Sequence, residues 1–233
     1  MVIPRPKSIN LRGRFRRWRD EDSLKDCDLA AELDRLREAM PVNAFGRIVS
    51  RIERNHLADK LFERREQKPW QEAWIAWRFA FFDRATHLQL ADECADDDFY
   101  LKRRGADWAG FQVTEALLEG RQRTKEYRDA RYSGRRFKEV DGEEMRRESE
   151  GAIPALLRAL EKKTLSARGG RLVIYWNTGW LLDRRKFIAD LKEKSDPYRS
   201  LFAEAWIIGK GSVFKVAPQF KMVSGPPISL GNA

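Results

Sequence analysis

Apolar residues recur at helical spacing through the first third of the chain, and the period changes near residue 86. Between 24 and 40, Leu24, Cys27, Leu29, Ala31, Leu33 and Leu36 fall at mixed helical spacing, with Ser23 placed to cap the start and Pro41 to end the helix. A second helical stretch covers 44–66 through Phe45, Ile48, Val49, Ile52, Leu57, Leu61 and Phe62. Pro69 opens a third, from Trp70 to about Arg84, where Trp70, Ala73, Trp74, Trp77, Ala80 and Phe81 form a wide apolar stripe. Such a Trp-rich stripe reads as core rather than as a ligand box.

Beyond Thr86 the spacing shortens to alternation. HLQLADE, DFYLKRR and GFQVTEAL read as three strands, the last two separated by the turn residues Gly105-Ala106-Asp107. Strands this close in sequence predict an antiparallel meander. A helix follows over 143–163, with Ile153, Leu156, Leu157 and Leu160 on one face and Pro154 expected only near a helix start or a kink. LVIYW, at 172–176, is a continuous apolar run bounded by turn residues, which predicts a central strand covered on both faces. Residues 183–194 predict a helix that buries Phe187, Ile188 and Leu191. Residues 205–208 and 213–217 flank Gly209-Lys210-Gly211-Ser212 as a hairpin.

The expected fold is therefore α/β: a central mixed sheet flanked by helices, with a helical N-terminal extension. The expected organisation is a basic flexible arm (1–22), the helical extension (23–69), the α/β domain (70–223) and a loose tail (224–233).

Charge adds a partner to this picture. Residues 1–19 hold seven basic side chains, Arg5, Lys7, Arg12, Arg14, Arg16, Arg17 and Arg19, and no acidic one. Residues 121–138 hold Arg121, Arg123, Lys125, Arg128, Arg131, Arg135, Arg136 and Lys138 against Glu126 and Asp129. The two segments together exceed the whole chain's net charge of +10, so the remainder is slightly acidic. Arg dominates both, and its fork of donors matches phosphate oxygens. Phe15 and Trp18 in the first segment, and Tyr127 and Tyr132 in the second, are placed to stack on bases. Nucleic acid is the expected partner, DNA ahead of RNA. Neither segment has the apolar face needed to lie on a membrane, and no apolar run is long enough to cross one. The first residues lack the apolar core of a secretory signal, so a cytoplasmic location is expected.

Cys27 and Cys94 make no disulfide framework, and with only His56 and His87 beside them there is no zinc-type cluster. Gly209-Lys210-Gly211-Ser212 lacks the upstream Gly and following helix of a phosphate loop. His87 and Cys94 have no triad partners in the pattern and read as structural.

The stretch that can carry chemistry is 95–119. Asp96-Asp97-Asp98 opens one strand, and the next ends in Gln112-Val113-Thr114-Glu115. Alternation puts Gln112 and Thr114 on one face, and hairpin pairing brings Asp98 to its end. Acidic and neutral oxygen donors gathered there suit a hard cation such as Mg²⁺ or Mn²⁺. Such an ion can activate water and stabilise charge on a phosphate.

With helix, three-strand meander, helix, strand, helix and strand in that order, the region from 70 to 217 resembles the restriction-endonuclease-like, or PD-(D/E)XK, nucleases. In that superfamily an Asp opens the second strand, and a (D/E)-x-K triplet follows 10–30 residues later on the third. Asp98 stands 14 positions before Gln112, inside that window. The resemblance implies that Asp98 is the metal-binding Asp, that Gln112 takes the second acidic position, and that Thr114 takes the position of the Lys. Glu72, on the Trp-rich helix, takes the place of the first-helix Glu that serves as an accessory ligand. Gln at the acidic position is a variation the superfamily accommodates; Thr for Lys removes the cation expected to orient water. Glu115 or Lys102 would compensate only if the strand is bulged or twisted there.

The resemblance implies a metal-dependent nuclease that hydrolyses phosphodiester bonds, with Asp98, Gln112, Thr114 and Glu115 at the reaction and Asp98, Glu115 and Glu72 on the metal. The alternative is a nucleic-acid-binding or protein-interaction module that keeps the fold without the chemistry. The missing Lys favours the second reading; a polar cluster beside a basic segment favours the first.

Overall fold

The computed structural model describes residues 28–55, 68–118, 142–166, 169–176, 182–209 and 212–223. The chain opens with helix α1 (Leu29–Leu36), a two-residue strand β1 (Met40–Pro41) and helix α2 (Val42–Asn55). Helix α3 (Lys68–Asp83) precedes strands β2 (His87–Leu90), β3 (Phe99–Lys102) and β4 (Trp108–Ala116). Helix α4 (Gly142–Lys163) leads to β5 (Arg171–Trp176), and α5 (Arg184–Lys194) with a 3₁₀ turn (Asp196–Leu201) leads to β6 (Glu204–Gly209). Strands β7 (Ser212–Ala217) and β8 (Lys221–Val223) follow. All eight strands form one sheet in chain order. Pairing is antiparallel from β1 to β4, parallel from β4 through β5 to β6, and antiparallel again to β8.

The expected meander is present as β2–β3–β4, and the continuous apolar run is β5, held between two parallel neighbours. Its alternate residues explain why the run has no polar phase. Leu172, Ile174 and Trp176 enter one core while Val173 and Tyr175 face the other. The 205–217 region is a hairpin, with Gly209 paired to Ser212.

One face of the sheet carries α1, α2 and α3, the other α4 and α5. Asp28, rather than Ser23, caps α1 by accepting from Ala30 and Ala31 N–H, and Ser23 lies outside the described residues. The second expected helix is described only as far as Asn55; residues 56–67 lie outside. Trp70 is fully buried on α3, as the stripe predicted, while Trp74 and Trp77 pack at the margin of the core. Gly46 marks the closest approach of α2 to α3, since an added Cβ would sit 2.2 Å from Trp77 Nε1. Phe99 and Phe111 are register partners with stacked rings 5.3 Å apart, and Phe79 of α3 covers Phe111 at 5.1 Å. Burying each ring fully stabilises the fold by about 2–3 kcal/mol.

Pro154 lies in the middle of the 22-residue α4, so of the two expected places the helix start is excluded; there it removes an internal hydrogen bond. One sequence expectation needs correcting. Strand β1 and the short β8 carry too few residues to show a period, and β1 sits within the stretch expected to be purely helical.

A polar cluster lies on the α3 side of the sheet. Arg103, just past β3, donates to both oxygens of Asp83 (2.8 and 3.0 Å) and both of Glu204 (2.9 and 2.8 Å). Glu204 also accepts from Trp206 Nε1 at 2.9 Å and pairs with Arg171 and Lys215. Burial raises the Asp83 carboxyl despite Arg103. It works the same way on Glu204, but there the hydrogen bonds from Arg103 and Trp206 win and hold the group low. Among the described residues no helix is long and apolar enough to cross a membrane.

Candidate functional site

Strands β3 and β4 stay paired only as far as Phe99 and Phe111. From Gln112 onward β4 continues against β5, leaving its other edge without a strand partner at that point. Asp98 fills this fork. Its N–H donates to Phe111 O (2.9 Å), its carbonyl accepts from Ala91 N–H (3.1 Å), and its side-chain Oδ2 accepts from Val113 N–H at 2.6 Å. The carboxylate thus takes the ladder position that a backbone carbonyl would hold, which fixes it at the point where the strands separate.

The first turn of α3 projects over the fork. Lys68 and Glu72, one turn apart, pair at 2.5 Å, and Lys68 Nζ lies 3.5 Å from Asp98 Oδ1. The Glu72 side chain is 13% exposed, against 70% for Lys68. Burial pushes the Glu72 carboxyl up to about 7; the negative charge of Asp98 and a hydrogen bond shared with it push the same way, while Lys68 works against them. For Lys68 itself, burial lowers the ammonium, but the hydrogen bond to Glu72 and the two carboxylate charges prevail and raise it.

From the other face of the sheet comes Gln112. Its Oε1 accepts from Lys163 Nζ at 3.0 Å, and its Nε2 donates to the Ser166 carbonyl at 3.1 Å. Lys163 ends α4 on the same stripe as Leu156, Ala159 and Leu160. Burial lowers its ammonium, aided by the Lys68 and Lys162 charges and opposed by Asp98 and Glu72. Those charges reach across the fork, so α3, the β3 entrance, β4 and the end of α4 meet at one place.

Glu72, Asp98 and Gln112 therefore converge, although 26 and 14 positions separate them in the chain. Thr114 shares the Gln112 face of β4. Glu115 pairs with Tyr175 of β5 and lies on the α3 face of the sheet, opposite Gln112 and Thr114. Lys102 pairs with Trp108 and His87 at the far end of β3, so it cannot replace the absent Lys. Asp97 lies over Gly110, where a Cβ would come 1.8 Å from Oδ2, and burial together with Asp98 and Asp96 raises its carboxyl.

Lys68 and Lys163 are the residues that motif spacing missed. A lysine continuing an apolar stripe, as Lys163 does after Leu156, Ala159 and Leu160, is the signal that marks one of them. Among the described residues the His87 ring meets Thr86 and the Trp108 ring, and Cys94 is exposed and free. Both basic segments, with Arg12, Arg14, Arg16, Arg17, Arg19, Arg121, Arg123, Lys125, Arg128, Arg131, Arg135, Arg136 and Lys138, lie outside the described residues.

No group of three His, Cys, Asp or Glu side chains converges as a metal cage among the described residues. What converges is two carboxylates and one amide oxygen. All are oxygen donors, and the Lys68 ammonium between Glu72 and Asp98 occupies a place where positive charge is favoured. This set fits a hard divalent cation that keeps part of its water shell. Set against family models, curated proteins and solved structures, the chain matches none of them.

Proposed function

We propose that the fork is the active site of a divalent-metal-dependent nuclease. The observation that carries the reading is the meeting of Asp98, Glu72, Gln112 and Lys163 at the point where β3 and β4 part. The order of elements around it, α3, an antiparallel β2–β3–β4 unit, the crossover helix α4 and parallel β5, supports the PD-(D/E)XK resemblance. Asp98, Glu72 and the Gln112 carbonyl would hold Mg²⁺ or Mn²⁺, which lowers the pKa of a bound water and offsets charge on the phosphate.

The chain's own groups have distinct tasks. Asp98, fixed by Val113 N–H, sets the position of the reacting phosphate relative to the sheet. Lys163, with its ammonium lowered by burial, orients the attacking water on the Gln112 side and stabilises the developing oxyanion. It takes the role left open by Thr114. Thr114, beside it, adds a hydroxyl to the same face. Lys68 balances the two carboxylates and is the most exposed of the group, so it can swing away when another cation arrives.

The test is cleavage of labelled single- and double-stranded DNA and RNA with Mg²⁺ or Mn²⁺, with Asp98→Ala beside the wild type. Metal-dependent cleavage lost in the variant supports the assignment. Salt-sensitive binding without cleavage in either protein would instead favour a fold retained for recognition. The observation that favours this second reading is Thr114 at the position of the Lys, so that β4 itself brings no cation to the site.

A further inference from the structure

We infer that α2 carries a phosphate-binding track that leads a nucleic-acid strand to the fork; the inference rests on the nuclease reading and extends it. The apolar side of α2, with Phe45, Ile48, Val49 and Ile52, is buried. Its outer side carries Arg47, Arg51 and Arg54 at i, i+4 and i+7, one row about 10 Å long at 1.5 Å per residue. That length covers about three phosphate steps of a duplex strand at 3.4 Å each.

Arg47 and Arg54 are exposed and pair with no carboxylate among the described residues. Arg51 and Arg35 share a single carboxylate, Glu32, at 2.6 and 3.3 Å. Arginines kept on a helix surface without acidic neighbours add little to stability. Among the described residues the forks of Arg47 and Arg54 are free for an external anion.

The row borders a surface cavity of about 360 Å³. Apolar Met40, Ala44 and Ile48 line it together with Arg35, Arg47, Arg51 and Glu38. Apolar side chains beside three guanidinium groups match a sugar–phosphate unit, whose ring has an apolar face and whose phosphate takes the forks.

Direction links the row to the chemistry. Val42 N–H donates to Thr86 O beyond the end of α3, while Gly46 lies against Trp77, so α2 runs antiparallel to α3. The Arg47-to-Arg54 direction therefore points to the end of α3 that holds Lys68 and Glu72.

The experiment is binding of a short labelled DNA duplex and its single strand, followed by anisotropy across a salt series in Ca²⁺, with Mn²⁺-dependent cleavage measured in parallel. The double variant Arg47→Gln/Arg54→Gln should lower the slope of log K against log salt by about 1.8 for duplex, at ~0.9 per phosphate lost. The charge-matched variant Lys192→Gln/Lys194→Gln, on the exposed side of α5, should leave the slope unchanged. Equal slopes in wild type and the arginine variant overturn the track, and if Mn²⁺-dependent cleavage persists they leave the nuclease reading standing. Equal loss in both variants also overturns it, since net charge alone would then account for binding. Binding of a polyglutamate peptide that depends on Arg47 and Arg54, with no nucleic-acid binding, overturns both.

Discussion

Replacing Glu72 with Gln should make the metal-free protein more stable near pH 8 and leave it nearly unchanged near pH 5. The folded-state carboxyl sits at about 7 against an ordinary 4.5, chiefly because it is buried and then because Asp98 is negative. Below the lower value the group is protonated in folded and unfolded chains alike, so it costs nothing. As pH rises through the window from 4.5 to about 7, the unfolded chain releases its proton first and gains relative to the folded one. A separation of that size corresponds to about 3 kcal/mol at 1.36 kcal/mol per pH unit. Gln keeps the shape, removes the titration and forfeits the Lys68 ion pair, which at its exposure is worth at most ~1 kcal/mol. The expected gain near pH 8 is thus about 1–3 kcal/mol, or several degrees in Tm at about 2–4 °C per kcal/mol. Urea unfolding of both proteins across that pH range checks it, provided the m-values agree. A variant that is less stable near pH 8, or whose difference from wild type does not change with pH, refutes the account of the fork as a site of unrelieved negative charge. A stabilising change at a residue proposed to hold metal is the trade expected of a site built for binding rather than for stability.

Three further outcomes test other links. Lys163→Met should lower kcat of any metal-dependent cleavage by about 10²–10⁴-fold while the thermal stabilisation by Mn²⁺ survives; loss of the Mn²⁺ response instead would make Lys163 a structural partner of Gln112. Arg103→Met should destabilise by about 3–5 kcal/mol in urea unfolding, because Asp83 and Glu204 are left buried with fewer cations; a cost below about 1 kcal/mol would class the cluster with surface ion pairs. Gly46→Ala should cost about 1–3 kcal/mol, since its Cβ meets Trp77 at 2.2 Å, and Trp77→Leu in the same chain should recover part of it.

Periodicity made most of the fold legible. The α3 stripe, the β2–β3–β4 meander, the two-sided β5 run and the β6–β7 hairpin each have enough residues for a period to declare itself. Strand β1 does not: Met40-Pro41 is two residues long, and its pairing to Leu88 and His87 is a tertiary event with no local signature. Helix α1 starts at Asp28 because an Asx side chain caps it there, which pattern alone could not separate from Ser23 upstream. At the site, strand alternation and one hairpin relate Asp98 to Gln112, while only the family resemblance singles out Glu72. Lys163 was hidden by distance, since it reaches Gln112 from 51 positions away across a crossover helix. Glu115 follows Thr114 in the chain, so on β4, which has no bulge at that point, it takes the opposite face, the one that α3 covers.

The sheet's strictly consecutive strand order has a consequence for how the chain is made. No strand has to be threaded between two that are already paired, so assembly can proceed by adding each new strand to an open edge as it emerges. Synthesis through residue 118 delivers α1 to α3 and β1 to β4, with the Phe79, Phe99 and Phe111 rings already in one cluster. At that moment the free edge of β4 is a template for unwanted pairing until β5 arrives. The half-made protein already holds Glu72 and Asp98, but Lys163 is still to come. The fork is therefore complete only when α4 docks, so a nascent chain carries the two carboxylates and Lys68 before it carries Lys163 and the anchor that Lys163 gives Gln112.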